Sequence, residues 1–118
     1  MRCRILLVED EPLILMDLRF ATEDAGCEAL PARNLGDGMR LAGDAEISVA
    51  VLDVNLGGGT NCVPVAEILS RRGIPYLLHS GDLDRQDEVV RSLGAELIPK
   101  PAAAHRVIAR ALEKTGTC

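Results

Sequence analysis

Side chains with chemical capability stand directly after four of the apolar runs in this sequence. Glu9 and Asp10 follow the first run, Asp53 the third, Ser80 the fourth and Lys100 the fifth. Carboxylates suit a hard cation such as magnesium, and a carboxylate can attack phosphorus when metal and ammonium groups neutralise the incoming charge. In such a set Asp10 and Asp53 could supply oxygen ligands to magnesium, and a carboxylate could form an acyl phosphate while Lys100 and the ion offset charge. The hydroxyl of Ser80 could donate a hydrogen bond to a phosphoryl oxygen.

Each of these residues has an ordinary structural role when it stands alone. An acid after a strand commonly caps the next helix, a serine often lies in a turn, and a lysine is usually a solvated surface charge. Their joint occurrence at four matching strand ends is rare by coincidence, whereas a site for a metal and a phosphoryl group needs this combination. The conjunction favours one shared site.

The elements that must position these residues alternate along the chain between strands and helices. The third strand has the strongest signal, since it is apolar and largely β-branched up to Asp53. Pro12 suits the first turn of a helix, and Asn61 can cap another in which Pro64 falls in the first turn. The predicted strands cover residues 3–8, 27–32, 47–52, 74–79 and 96–98, and the predicted helices cover 12–25, 35–41, 61–72, 83–93 and 102–114.

This (βα)5 pattern with short connections predicts a single α/β domain over residues 1–118. We expect a doubly wound, five-stranded parallel sheet with right-handed crossovers and helices on both faces. In such a sheet chemistry collects beyond the carboxyl ends of the strands. The residues that follow the strands should therefore meet at one edge.

The composition disfavours several classes of function. With 47% hydrophobic and 26% charged residues, the chain lies in the range of soluble globular proteins. No apolar run reaches the roughly 18 residues of a membrane span. The apolar run near the amino terminus is also too short for the hydrophobic region of a signal peptide. A formal net charge of -5, with one Phe, one Tyr and no Trp, disfavours direct nucleic-acid binding. We expect a cytoplasmic protein without membrane contact.

Four cysteines, Cys3, Cys27, Cys62 and Cys118, show no CxxC spacing and no nearby histidine cluster. Neither a zinc site nor a redox motif is indicated. The first three lie within or beside apolar segments, where a reduced cysteine behaves as a small core residue, and no disulfide framework is expected.

Four motifs resemble those of the receiver domains of two-component response regulators, which have the CheY-like, flavodoxin-like fold. They occur in order and span the whole chain: Leu6-Leu7-Val8-Glu9-Asp10-Glu11, Val51-Leu52-Asp53, Ser80-Gly81 and Lys100-Pro101. The resemblance implies a signalling phosphoprotein rather than an enzyme that turns over a substrate. Its phosphodonor would be a histidine kinase or a phosphotransfer protein.

The same resemblance implies a magnesium site and a phosphoacceptor. Asp53 would accept the phosphoryl group and, with Glu9, Asp10 and the main-chain carbonyl of Asn55, would hold the ion. The phosphorylated domain would change its contacts with a downstream protein or pass the phosphoryl group on.

The resemblance also implies the switch residues. Ser80 would be the switch hydroxyl, and Lys100 the ion-pairing lysine, with a cis peptide bond before Pro101.

Three features depart from the family pattern. Leu97 stands where many members carry an aromatic residue that reads out the switch, so any signal must reach the last helix or the loop after strand four by another route. Gly57, Gly58 and Gly59 replace the proline that commonly stiffens the loop after the acceptor. Only four residues follow the last predicted helix, so we expect no output domain.

Three further residues are candidates for a functional role. We predict that His79 is a hydrogen-bonded interior residue and that His105 is solvated on the last helix. Asp82, beside the predicted phosphoryl position, is expected to alter the lifetime of the acyl phosphate.

Two alternatives remain open. In a phosphatase of the haloacid dehalogenase type Asp53 would be the nucleophile of a turnover reaction, but Asn55 stands where those enzymes need a second Asp for proton transfer. In a docking module the same fold would bind a protein without phosphorylation. Leu97 favours this alternative. It is disfavoured by the intact set of acidic pair, acceptor, hydroxyl and lysine.

Overall fold

The computed structural model describes residues 3–81, 88 and 91–115. Its strands are β1 (Arg4–Val8), β2 (Glu28–Ala32), β3 (Val49–Leu52), β4 (Tyr76–Ser80) and β5 (Leu97–Pro99). Its helices are α1 (Pro12–Asp24), α2 (Leu35–Asp44), α3 (Val63–Arg71) and α4 (Ala104–Thr115). The strands form one parallel sheet in the order β2-β1-β3-β4-β5, which confirms the predicted fold class.

The two faces of the sheet bury separate apolar layers, because successive side chains of a strand point to opposite faces. Leu6 and Val8 of β1 pack in a layer with residues of α2 and α3. Ile5 and Leu7 pack in the other layer, against α1 and α4. Since both faces are covered, β1 and β3 lie in the interior and hold the residues that follow them rigidly.

Most predicted boundaries lie within two residues of the observed ones. The exception is the end of α2, which extends three residues past the predicted end at Leu41. The side chain of Asn34 caps this helix by accepting a hydrogen bond of 2.8 Å from the N–H of Asp37. The helix continues because Ala42, in its last turn, is buried in the core.

The start of α3 differs from the prediction in detail. Cys62, not Asn61, occupies the N-cap position, and its side chain makes no capping hydrogen bond. Asn61 still satisfies a backbone donor of the first turn, because its Oδ1 accepts a hydrogen bond of 2.9 Å from the N–H of Val63. In the helix predicted over 83–93, residues 88 and 91–93 are helical, and the remainder lies outside the described residues.

The cysteines within the described residues behave as the sequence predicts. Cys27 and Cys62 are buried, Cys3 is partly buried, and all three are thiols. Within the same residues, no helix combines the length and the apolar character that crossing a bilayer requires.

Candidate functional site

The pairing of β1 with β3 determines where two of the acids meet. Val8 lies opposite Leu52 in the register, and the N–H of Asp53 donates to the carbonyl oxygen of Val8 over 2.8 Å. Glu9 and Asp53, the next residues along the two strands, therefore lie side by side at the carboxyl end of the sheet. Both are almost fully buried, with 1% and 4% of their surface exposed.

Lys100 follows the edge strand β5, and its side chain contacts both acids. Its N–H donates to the carbonyl oxygen of Ser80 over 3.1 Å, which continues the β4–β5 pairing past the end of β5. Its Nζ lies 3.1 Å from Glu9 Oε2 and 3.3 Å from Asp53 Oδ2. The peptide bond between Lys100 and Pro101 is cis, as the resemblance to receiver domains implies.

Asp10 completes a cluster that could hold a metal ion. Glu9, Asp10 and Asp53 each offer a carboxylate oxygen, and these oxygens lie within 4.8 Å of one another. Carboxylate oxygens together with water are the ligands that magnesium prefers, and this cluster offers carboxylate oxygens from neighbouring strand ends. The donor set fits the predicted ion.

The glycine turn after Asp53 lies against this cluster. A Cβ atom built at Gly57 would be 3.4 Å from Asp10 Oδ2. Gly57, Gly58 and Gly59 all have positive φ angles, of 82°, 58° and 78°, which other residues rarely adopt. Thr60 closes the turn, because its N–H and its hydroxyl both donate to the carbonyl oxygen of Gly57, over 2.9 and 2.7 Å.

Among the described residues the charges of the site do not balance, because the acidic cluster of Glu9, Asp10 and Asp53 has the ammonium of Lys100 as its cationic partner, and Glu11 pairs with the same ammonium. Burial, a hydrogen bond to Glu9 and the charge of Glu9 raise the pKa of Asp53 to about 8, although the charge of Lys100 acts in the opposite direction. Burial lowers the pKa of Lys100, but the charges and hydrogen bonds of Asp53 and Glu9 outweigh it, so the net shift is upward. The lysine therefore stays protonated, and the raised pKa favours the neutral form of the Asp53 carboxyl.

Ser80 and Asn55 lie close to the acids in the chain. Ser80 is the last residue of β4 and is buried. Asn55 follows Asp53 by two residues and forms an isolated antiparallel bridge with Asn61. Their assignments as switch hydroxyl and carbonyl ligand stay predictions.

The prediction for His79 is wrong in one respect. The residue is buried as expected, but neither ring nitrogen has a hydrogen-bond partner among the described residues. Burial and the nearby charge of Lys100 lower the pKa of His79 to about 4, so the ring is neutral at pH 7. A neutral imidazole without partners is a costly interior residue and not a poised catalytic base.

His105 is exposed as predicted, but it is not only solvated. Its Nε2 lies 2.9 Å from Asp24 Oδ2, so the pair connects α4 to α1. Asp82 lies outside the described residues.

Glu11 is a neighbour of the site that sequence reasoning did not assign. Its Oε1 lies 3.5 Å from Lys100 Nζ, at the N-cap of α1, and its side chain is 61% exposed. An exposed pair of this kind contributes little to stability. The available signal was its position between Asp10 and the helix-starting Pro12.

The comparisons with known proteins agree with this architecture. The chain matches no protein-family model and no curated protein. It is similar to the solved structure of a CheY-like response regulator receiver domain protein from Methanospirillum hungatei JF-1, with 23% identity and a TM-score of 0.86 over 98% of this chain and 95% of that one. A response regulator receiver protein from Sinorhizobium medicae WSM419 gives 20% identity and a TM-score of 0.85 over 98% and 96%.

A third solved structure extends the comparison. The signal receiver domain of a modulated diguanylate cyclase from Desulfovibrio desulfuricans G20 is 26% identical, with a TM-score of 0.80 over 98% of both chains. The chain therefore has the CheY-like receiver fold, as its motifs predict. Leu97, the residue that departs from the family pattern, lies partly buried in β5 opposite Leu78.

The raised pKa of Asp53 predicts how stability depends on pH. Between about pH 4 and pH 8 the folded chain keeps a proton that the unfolded chain releases, so the free energy of unfolding falls as pH rises through this window. Without divalent cations, Asp53→Asn should raise the free energy of unfolding at pH 8 by about 2 kcal/mol, because it removes a buried charge. Urea unfolding at several pH values checks this.

The gain should shrink towards pH 5, where the wild-type carboxyl is already protonated. The same substitution at the exposed Asp17 of α1 is the control and should change little at either pH. A loss of stability in Asp53→Asn at pH 8, or an equal gain at pH 5, would contradict the assignment.

Proposed function

We propose that this chain is a phosphoacceptor receiver of a two-component pathway, in which Asp53 takes a phosphoryl group from a phosphohistidine. The observation that carries the proposal is the position of Asp53: a buried carboxyl between Glu9, Asp10 and the ammonium of Lys100 at the carboxyl end of the sheet. The receiver fold supports the same function.

In the proposed transfer an Oδ atom of ionised Asp53 forms a bond to phosphorus. The P–N bond of the donor breaks, and the imidazole leaves with the electron pair and takes up a proton. Lys100 offsets the charge of the phosphoryl oxygens, since its Nζ already lies 3.3 Å from Asp53 Oδ2. The product is an acyl phosphate on Asp53.

Glu9 and Asp10 would hold magnesium beside the acceptor, with Asn55 supplying a main-chain carbonyl. The chemistry that a bound ion supplies is neutralisation of the phosphoryl oxygens. Glu9 contacts Lys100 as well as the acceptor, so it orients the lysine towards Asp53.

Ser80 would then detect the phosphoryl group. Its hydroxyl, at the buried end of β4, would donate to a phosphoryl oxygen and draw the start of the following loop with it. Because Leu97 provides no aromatic readout, the change would reach a partner through that loop or through α4. The module signals by this change of surface and has no separate substrate.

One exposed surface suits a protein partner near the site. Leu13, Met16 and Phe20 of α1 are 73%, 42% and 55% exposed and share one face of the helix, because they are three and four residues apart. Leu13 follows Asp10 by three residues, so this apolar stripe begins near the acidic cluster. We propose that the protein phosphodonor packs on the stripe.

Intact mass after incubation with acetyl phosphate tests the proposed function. In the presence of magnesium the wild type should gain one phosphoryl group, and Asp53→Asn should gain none. Removing magnesium with a chelator should abolish the gain. Asp17→Asn, on the exposed surface of α1, should behave as the wild type.

Failure of the wild type to gain mass with acetyl phosphate or with any histidine kinase or phosphotransfer protein tested would contradict the proposal. It would favour the docking module, whose partner would bind Asp53→Asn unchanged. Steady release of phosphate from a small substrate would favour the phosphatase instead.

The rate of phosphorylation by a protein donor tests whether that donor packs on the apolar stripe. Phe20→Ser should lower kcat/KM about tenfold with a histidine kinase or phosphotransfer protein that phosphorylates the wild type, because it removes an apolar contact. Its rate with acetyl phosphate should not change, since a small molecule does not need the stripe. Met39→Ser, at an exposed apolar position on α2, is the matched control. Equal losses with both donors, or no loss with the protein donor, would contradict the docking surface.

A further inference from the structure

We propose that Cys3 and Cys27 form a redox site at the amino end of the β1–β2 pair, where exchange with a small disulfide such as oxidised glutathione joins them in an intrachain disulfide. The site lies at the opposite end of the sheet from Asp53. It does not depend on the function proposed above.

The register of the two strands brings the cysteines together. Arg4 lies opposite Glu28, and the N–H of Glu28 donates to the carbonyl oxygen of Cys3 over 2.8 Å. Cys3 and Cys27 immediately precede the two strands, so the register and this hydrogen bond place them as neighbours at the amino end of the pair. Adjacent strands are about 4.8 Å apart, which falls inside the Cα separation of roughly 4.4 to 6.8 Å that disulfides require.

The two thiols also lie on the same face of the sheet. Cys27 belongs to the buried layer beneath α1 and α4, and Cys3 packs against that layer. The same layer receives Ile5 and Ala29, which are two residues further along each strand, as the alternation of side chains requires. A bond between the sulfur atoms would not need either strand to turn over.

The two thiols differ in exposure to solvent, so Cys3 reacts before Cys27 in the disulfide exchange. Cys3 is only partly buried, whereas Cys27 is buried and its Sγ makes a weak contact of 4.0 Å with the carbonyl oxygen of Ala25. The thiolate of Cys3 attacks oxidised glutathione, whose S–S bond breaks, and one glutathione leaves and takes up a proton. The thiolate of Cys27 then attacks the Cys3 sulfur and releases the second glutathione. The cysteines are oxidised by two electrons, and one glutathione disulfide is reduced to two thiols.

Cys62 provides an internal reference within the same chain. It is completely buried in the other layer, and burial raises the pKa of its thiol to about 12, with a smaller effect of Asp53 in the same direction. A buried thiol with a raised pKa is inert to exchange. Cys62 should stay reduced under conditions that join Cys3 to Cys27.

Peptide mapping of the folded protein tests the inference. The chain is incubated with oxidised glutathione, acidified, alkylated and digested with a glutamate-specific protease, which places Cys3 in fragment 1–9, Cys27 in 24–28, Cys62 in 47–67 and Cys118 in 114–118. We expect fragments 1–9 and 24–28 to be joined, the link to disappear on reduction, and 47–67 to carry only the alkylating group. In Cys27→Ser, Cys3 should stop at the mixed disulfide with glutathione.

Three results would overturn the inference. They are a Cys3 that remains a thiol, a Cys3 that carries only glutathione in the wild type, and a link from Cys3 to Cys118. The wild-type map decides the question even if Cys27→Ser does not fold. A parallel Cys118→Ser protein should give the same link between 1–9 and 24–28.

Discussion

The carboxylates of Glu9, Asp10 and Asp53 lie within reach of one another at a buried strand end, where the ammonium of Lys100 contacts Glu9, Asp53 and the more exposed Glu11. Like charges in a desolvated place repel strongly, and burial together with Glu9 raises the pKa of Asp53. This unbalanced charge is the constraint on which the rest of the site depends. A cation bound beside the acceptor would reduce this repulsion, so the excess of carboxylates favours cation binding.

The sheet tolerates this electrostatic repulsion because its central strands are covered on both faces. Leu6, Val8, Val51 and Leu52 are buried in the two apolar layers, and their packing holds the following acids in place. At the edge of the sheet, Lys100 follows β5, and its backbone N–H continues the β4–β5 hydrogen bonding by donating to the carbonyl oxygen of Ser80. Apolar burial therefore offsets the electrostatic cost at the strand ends, as expected where function requires a locally unfavourable arrangement.

Much of this architecture could be predicted from the sequence, because strand period, helix caps and apolar runs are local signals. The convergence of Glu9, Asp53 and Lys100 followed from one rule about parallel sheets. Three features depend on tertiary packing and have no local signal in the sequence. They are the lack of hydrogen-bond partners for His79 among the described residues, the pairing of His105 with Asp24, and the extension of α2 from Leu41 to Asp44. The contact of Gly57 with Asp10 was also hidden, since a glycine has no side chain whose pattern would reveal it.

We predict that Asp53 holds a proton in the absence of divalent cations and loses it when magnesium binds. Calorimetric titration with magnesium in buffers of different ionisation enthalpy measures the number of protons released per ion. We predict release of about one proton at pH 7, falling to nearly none at pH 9, where the carboxyl of Asp53 is already ionised. Magnesium binding without proton release at pH 7, or with equal release at both pH values, would contradict the account.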